Sequence, residues 1–185
     1  KKGDDFDVVI PSRSLREFTA VFTDEIETVE VFFANNQLLF RSENISFYTR
    51  LLEGNYPDTD RLIPTEFSSV VTFNTNNLRH AMERSRLLSN ATQNGTVKLE
   101  IVKGIVSAHV HSPEVGRVNE EIDTENVSGE DLTISFNPTY LIEALKAVDS
   151  EKVTISFISA VRPFTLVPSE DAENFIQLIT PVRTN

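Results

Sequence analysis

Residues 68–85 read SSVVTFNTNNLRHAMERS, and the hydrophobic period changes once inside them. Val71 and Phe73 alternate with Thr72 and Asn74, which is the period of a half-buried strand. Asn74 interrupts that run with a short polar side chain suited to capping. From Thr75 onward the spacing becomes helical, and Leu78, Ala81, Met82, Ser85 and Leu88 line one face as core. A strand therefore passes through a polar break directly into an amphipathic helix.

The same grammar occurs twice more. DFDVVIPSRSLREFTAVF occupies residues 5–22 and DLTISFNPTYLIEALKAV residues 131–148. Ile10, Phe73 and Phe136, closing the three strands, recur at steps of 63 residues, as do Leu15, Leu78 and Leu141. Repetition at a fixed period is read before any single element, because it sets the architecture. Each copy then continues into three alternating runs, such as ETVEVFFA, NNQLLFRSE and ISFYTRLLEG after the first helix. Asn35-Asn36 and Asn94-Gly95 are turn signals. The unit is β-α-β-β-β, with antiparallel strands and helices expected near residues 12–22, 75–89 and 138–148. One lone helix over a small sheet buries its faces poorly, whereas two copies sharing a core bury them well. Three copies make one and a half domains, an α+β fold.

Composition narrows the function. The 185 residues carry a net charge of −11, are 39% hydrophobic and include no cysteine. Disulfide and thiolate chemistry are excluded, and a reducing compartment fits best. With no signal peptide or membrane-length apolar run in view, the sequons at Asn44, Asn90, Asn94 and Asn126 read as chance. The acidic average argues against simple electrostatic attachment to nucleic acid, but the distribution of basic residues matters more than their sum. His80 and Arg84 share one flank of the second helix, and Arg79 and Arg86 the other. The first helix exposes Arg13 and Arg16, and the third Lys146. Each alone is an ordinary solvated residue; together they recur on equivalent helices.

No enzyme is indicated. His109 and His111 alternate onto one strand face, but two histidines without a third ligand make no catalytic zinc site. Asp58 and Asp60 lack any accompanying general acid, nucleophile or phosphate loop. No cofactor and no metal are expected.

Residues 51–64, LLEGNYPDTDRLIP, place Leu62 and Ile63 beside Arg61 in a breaker-rich linker, which a bare hinge does not need. With LRHAMERSRLLSN, ISFNPTYLIEAL and ITPVRT, this segment resembles the bacterial DNA polymerase III beta subunit family, the sliding clamps, over essentially the whole chain. The resemblance implies a DNA-clamp fold with sheets outside and helices on the inner face. Residues 1–64 would be the second half of a middle domain plus linker, and residues 65–185 a complete last domain.

It further implies a processivity factor whose chains close head to tail as a homodimer around duplex DNA, without sequence preference. Arg13, Arg16, Arg79, Arg84 and Lys146 would face the DNA, and Leu87 and Leu88 the subunit interface. Leucines are usually core, and Leu88 lies on the apolar face while Leu87 does not. Glu120, Glu121, Asp123 and Glu125 either complement a basic partner edge or are merely solvated.

A cleft for short extended peptides of the polymerase III alpha subunit, the clamp loader and other clamp-binding proteins would use Pro57, Arg61, Leu62, Asn137, Tyr140, Val161 and Pro163. The closing run Leu178, Ile179, Thr180, Pro181, Val182 and Arg183 would supply its floor and rim. A Thr-Asp-x-His-Arg-Leu motif forming the family's other cleft wall does not occur in this sequence. These residues are expected not to close the ring by themselves. The location implied is the bacterial cytoplasm, at the nucleoid. The competing reading is a non-enzymatic protein-interaction β-domain with no DNA role.

Overall fold

The computed structural model describes residues 6–89, 95–112 and 116–183, with Asp60 described by its backbone alone. Asn90, Gln93, Asn94, Thr184, Asn185 and the Asp60 side chain therefore lie outside the described residues. Two compact units divide the chain between Asp58 and Thr59.

The first unit has one helix, α1 (Ser12–Val21), and a three-stranded antiparallel meander. Its strands are β1 (Glu30–Ala34), β2 (Gln37–Ser42) and β3 (Ile45–Arg50). Asn35 and Asn36 both take positive φ, 50° and 63°, and close a two-residue hairpin with Ala34 opposite Gln37. Phe22, Leu38, Phe40 and Leu51 form the buried centre, flanked by Val8, Ile10, Phe18 and Phe47.

The second unit builds two antiparallel sheets and two helices around one core. Its elements are a 3-10 turn at Asp60–Leu62, β4 (Ser69–Asn74), α2 (Thr75–Ser89), β5 (Val97–Val102), β6 (Ile105–Ser112), β7 (Gly116–Glu121), β8 (Asn126–Gly129), β9 (Leu132–Phe136), α3 (Pro138–Lys146), β10 (Lys152–Phe157), β11 (Phe164–Pro168) and β12 (Gln177–Ile179). One sheet has the order β12-β11-β10-β4-β8 and the other β7-β6-β5-β9.

The pairing explains why two copies are needed. Strand β4 opens the second repeat but pairs with β10 of the third, Phe73 opposite Val153. Strand β9 opens the third repeat but pairs with β5 of the second, Phe136 opposite Val97. Each copy thus lends its opening strand to the other's sheet, and α2 packs beside α3 over the shared core. Phe73, Phe136, Leu78 and Leu141, equivalent by the repeat, are all fully buried there.

Two elements differ from the sequence expectation. Residues 6–11 of the first copy form no strand, since among the described residues of their unit no second copy's sheet accepts them; the Leu52 N–H donates to the Val9 carbonyl at 2.9 Å, and Val8 and Ile10 pack against the unit's core. The second copy gains β8, pairing with β4 at Ser69 opposite Gly129. The Asn94-Gly95 signal belongs to the α2–β5 connection, with Asn94 undescribed. The tight hairpin lies instead at Lys103-Gly104, φ 52° and 80°, between Val102 and Ile105.

Helix starts follow the repeat as well. Asn74 Oδ1 accepts from the Asn76 and Asn77 amides at 3.1 and 3.0 Å, and Asn137 Oδ1 from Thr139 at 2.9 Å. Pro11 holds the equivalent place before α1 and offers no side-chain acceptor. No helix among the described residues is long and apolar enough to cross a membrane.

Candidate functional site

Strand register gathers several candidate residues at one end of the five-stranded sheet. β4 starts at Ser69 opposite Phe157, the last residue of β10. β11 starts at Phe164 opposite Ile179, the last residue of β12. The connector carrying Val161 and Pro163 and the run beginning at Thr180 therefore share this end, as does the segment leading from the 3-10 turn into β4. Ser68 fastens it: its hydroxyl donates to the Ile158 carbonyl at 2.6 Å and its amide to the Phe157 carbonyl at 2.8 Å.

Beside β12 lies a depression of about 390 Å³ between that strand and α3, lined by Tyr140, Glu143, Ala144, Gln177, Leu178, Ile179 and Thr180. Capping by Asn137 fixes the first turn of α3, so Tyr140 stands one turn in, 58% exposed. The chain beyond β12 crosses to the other sheet, where the Val182 amide donates to the Ser135 carbonyl at 2.7 Å. An apolar wall, an exposed aromatic ring and an edge strand with one paired side suit an extended chain.

Tyr140, Leu178, Ile179 and Thr180 thus come together, with Asn137, Pro181 and Val182 close in sequence to them. Arg61 and Leu62 sit in the 3-10 turn, Leu62 being 55% exposed, and Val161 is also exposed. Pro57 is exposed and belongs to the first unit. Glu143, Ala144 and Gln177 line the depression without having been singled out by sequence; as polar or small residues they give no apolar signal.

The basic helix residues separate into distinct surroundings. On α1, Arg13 Nε pairs with Glu17 Oε1 at 2.9 Å, and Arg16 is exposed. Arg79 and Lys146 line a second depression of about 330 Å³ with Asp149 and Glu151. Arg79 donates to Asn76 Oδ1 at 3.1 Å, while its buried Nε has no acceptor among the described residues. Lys146 donates to Glu143 Oε1 at 3.1 Å.

Arg84 sits on the opposite flank with His80, lining a third depression with Glu120, Glu121 and Asp123. Its guanidinium grips both Glu120 oxygens, Nε at 3.2 Å from Oε2 and Nη2 on Oε1. The hydrogen bond to Glu120 raises the Arg84 pKa above its ordinary value. Lys152 likewise holds Glu125 at 3.0 Å. Two members of the acidic run thus have partners within the chain. Leu87 stands 72% exposed at the end of α2, while Leu88 is half-buried against the core. His109 Nδ1 hydrogen-bonds Asn119 Oδ1 at 2.9 Å, while its buried Nε2 lies 3.2 Å from Glu100 Oε2 without forming a hydrogen bond.

Comparison with known proteins supplies the family. The family profile described as DNA polymerase III beta subunit, C-terminal domain, matches residues 60–183, and the central-domain profile matches residues 1–58. The chain is 82% identical to the beta sliding clamp of Streptococcus pneumoniae over all 185 residues, which is 49% of that protein. It is 52% identical to the beta sliding clamp of Lactococcus lactis over 182 residues, 97% of this chain and 48% of that one. The crystal structure of the DNA polymerase III beta chain from S. pneumoniae superposes with a TM-score of 0.93, covering 100% of this chain and 49% of that one. The chain thus spans about half the length of the curated relatives it matches. By these two matched profiles, which together take in nearly every residue, the chain belongs to the DNA polymerase III beta subunit family of sliding clamps.

Proposed function

We propose that this chain is part of a sliding clamp, a non-enzymatic processivity factor that encircles duplex DNA and tethers the replicative polymerase. The observation that carries the reading is the depression joining Tyr140 to Leu178, Ile179 and Thr180, within a chain of this family. Short extended peptides of the polymerase III alpha subunit and the clamp loader dock there, with Leu62, Val161 and Pro163 contributing from the same sheet end. Residues 1–64 act as half a middle domain with its linker, and residues 65–185 as a whole last domain.

DNA is held by enclosure rather than by base readout. Arg13, Arg16, Arg79 and Lys146 present weak phosphate contacts, which position without reading sequence. Arg84 contributes less, since Glu120 grips its guanidinium at two points, whereas Arg13 and Lys146 each share a carboxylate through one exposed contact. Leu87, with Leu88 beneath it, meets a second subunit in a head-to-tail dimer; an exposed leucine off the core stripe supports this. The protein works in the bacterial cytoplasm at the nucleoid.

A chimera tests the reading. Residues 1–185 replace the matching half of the S. pneumoniae clamp, and processive synthesis on primed circular DNA is measured. The reading expects processive synthesis and a clamp that leaves when the circle is linearised. A folded, dimeric chimera that gives only distributive synthesis contradicts it.

A further inference from the structure

The groove beside β12 is electrically polarised along its length. Its two ends are distinguished by the register. Gln177 pairs with Leu166 and Ile179 with Phe164, so β12 runs from the β11–β12 loop toward the β10–β11 connector. The Val182 to Ser135 bond pins the chain after Thr180 near the start of α3. From that pin, α3 runs back past Tyr140 toward Glu143 and Ala144, alongside Thr180 to Gln177.

Charges segregate accordingly. At the Gln177 end, Glu143 is the one charged residue lining the depression among the described residues, and the loop entering β12 adds exposed Glu170, Asp171 and Glu173. Lys146 shares Glu143 through a surface pair, and Lys152 at the same sheet end is already matched by Glu125. At the other end stand Arg162, in the connector before Phe164, and Arg183, just beyond the pinned Val182; both are exposed. The N-terminus of α3 adds a partial positive charge on that side.

We infer that this groove reads the charge order of a bound peptide as well as its apolar anchors. This rests on the peptide-cleft reading above. The ligand is an extended peptide with an acidic residue on the Arg162 and Arg183 side and a basic residue on the Glu143 side. Apolar anchors alone fix depth; the two charged ends fix direction and register, because a reversed charge order sets like charges together at both ends.

Three labelled peptides with identical apolar anchors test it by fluorescence anisotropy on the 185-residue chain. One has an acidic amino end and a basic carboxyl end, one has the reverse, and one is neutral. The expected result is a preference of about fivefold between the charged pair at low salt, shrinking toward one at about 0.5 M salt. The double variant Glu143→Lys, Glu173→Lys, which leaves only Glu170 and Asp171 to offset two new lysines at that end, shrinks the preference to less than about twofold. Neutral-peptide binding with no preference between charge orders, or a preference undiminished in the double variant, overturns the polarity and leaves the cleft standing. Failure of all three peptides to bind overturns both.

Discussion

The Val182 amide donates to the Ser135 carbonyl across 2.7 Å, joining the run after β12 to a strand of the other sheet. That bond fixes the path of the groove's rim. Val182→Pro removes the donor and is expected to weaken binding of an apolar-anchored peptide about fivefold, as for one lost hydrogen bond of ~1 kcal/mol. Circular dichroism should be unchanged. Parent-like affinity in the variant would show that the tether does not shape the groove.

The repeat equates Leu15 with Leu78, yet Leu78 is 1% exposed and Leu15 is 44% exposed. Among the described residues of its own unit, α1 has no second helix beside it, whereas α2 packs against α3. Leu78→Ala should cost about 2–5 kcal/mol and Leu15→Ala under about 1 kcal/mol. Urea unfolding of both variants checks this, and equal losses would contradict the difference in packing.

Gly129 holds φ at 97°, and a Cβ there would lie 2.0 Å from the Ser68 carbonyl oxygen. Gly104, at φ 80°, has open space around it. Gly129→Ala is therefore expected to destabilise by about 3 kcal/mol or more, and Gly104→Ala by about 1–2 kcal/mol. Thermal melts that rank the two the other way would refute the close approach of β8 to β4.

Glu100 receives the Lys98 ammonium at 2.6 Å, and this hydrogen bond, more than the charges of Lys98 and His109, holds its pKa below the usual carboxylate value. A folded-state pKa below the unfolded one gives stability that is present above the unfolded value and lost as pH falls through the folded one. Lys98→Met should move the Glu100 midpoint upward in a carboxyl NMR titration. An unmoved midpoint would remove Lys98 as the cause.

Much of this architecture was legible because the period changes at fixed intervals. Asn74 and Asn137 mark two helix starts, and the alternation of β4, β5 and β6 is read directly from burial on one face. What could not be read was pairing. Which sheet accepts β4 or β9 depends on a companion copy, so residues 6–11 look like a strand yet, among the described residues, join no sheet. β8 has only Val127 facing the core and gives no alternating signal. Arg84 and Glu120 are 36 residues apart, so their contact follows from tertiary folding rather than local spacing. In the groove, Tyr140 and Leu178 were legible by resemblance; Glu143 and Gln177 matter only because α3 lies beside β12.

Peptide docking in the groove between α3 and β12 is measured by anisotropy with one labelled extended peptide carrying a glutamine and spaced leucine and phenylalanine side chains. Each buried anchor contributes roughly 1.5–3 kcal/mol before the cost of ordering, which sets an expected Kd of about tens of micromolar. Tyr140→Ala and Leu62→Asp, both at exposed positions, should each raise that Kd at least about tenfold with the fold intact. Variants that bind as tightly as the parent would contradict the assignment of this groove as the docking site.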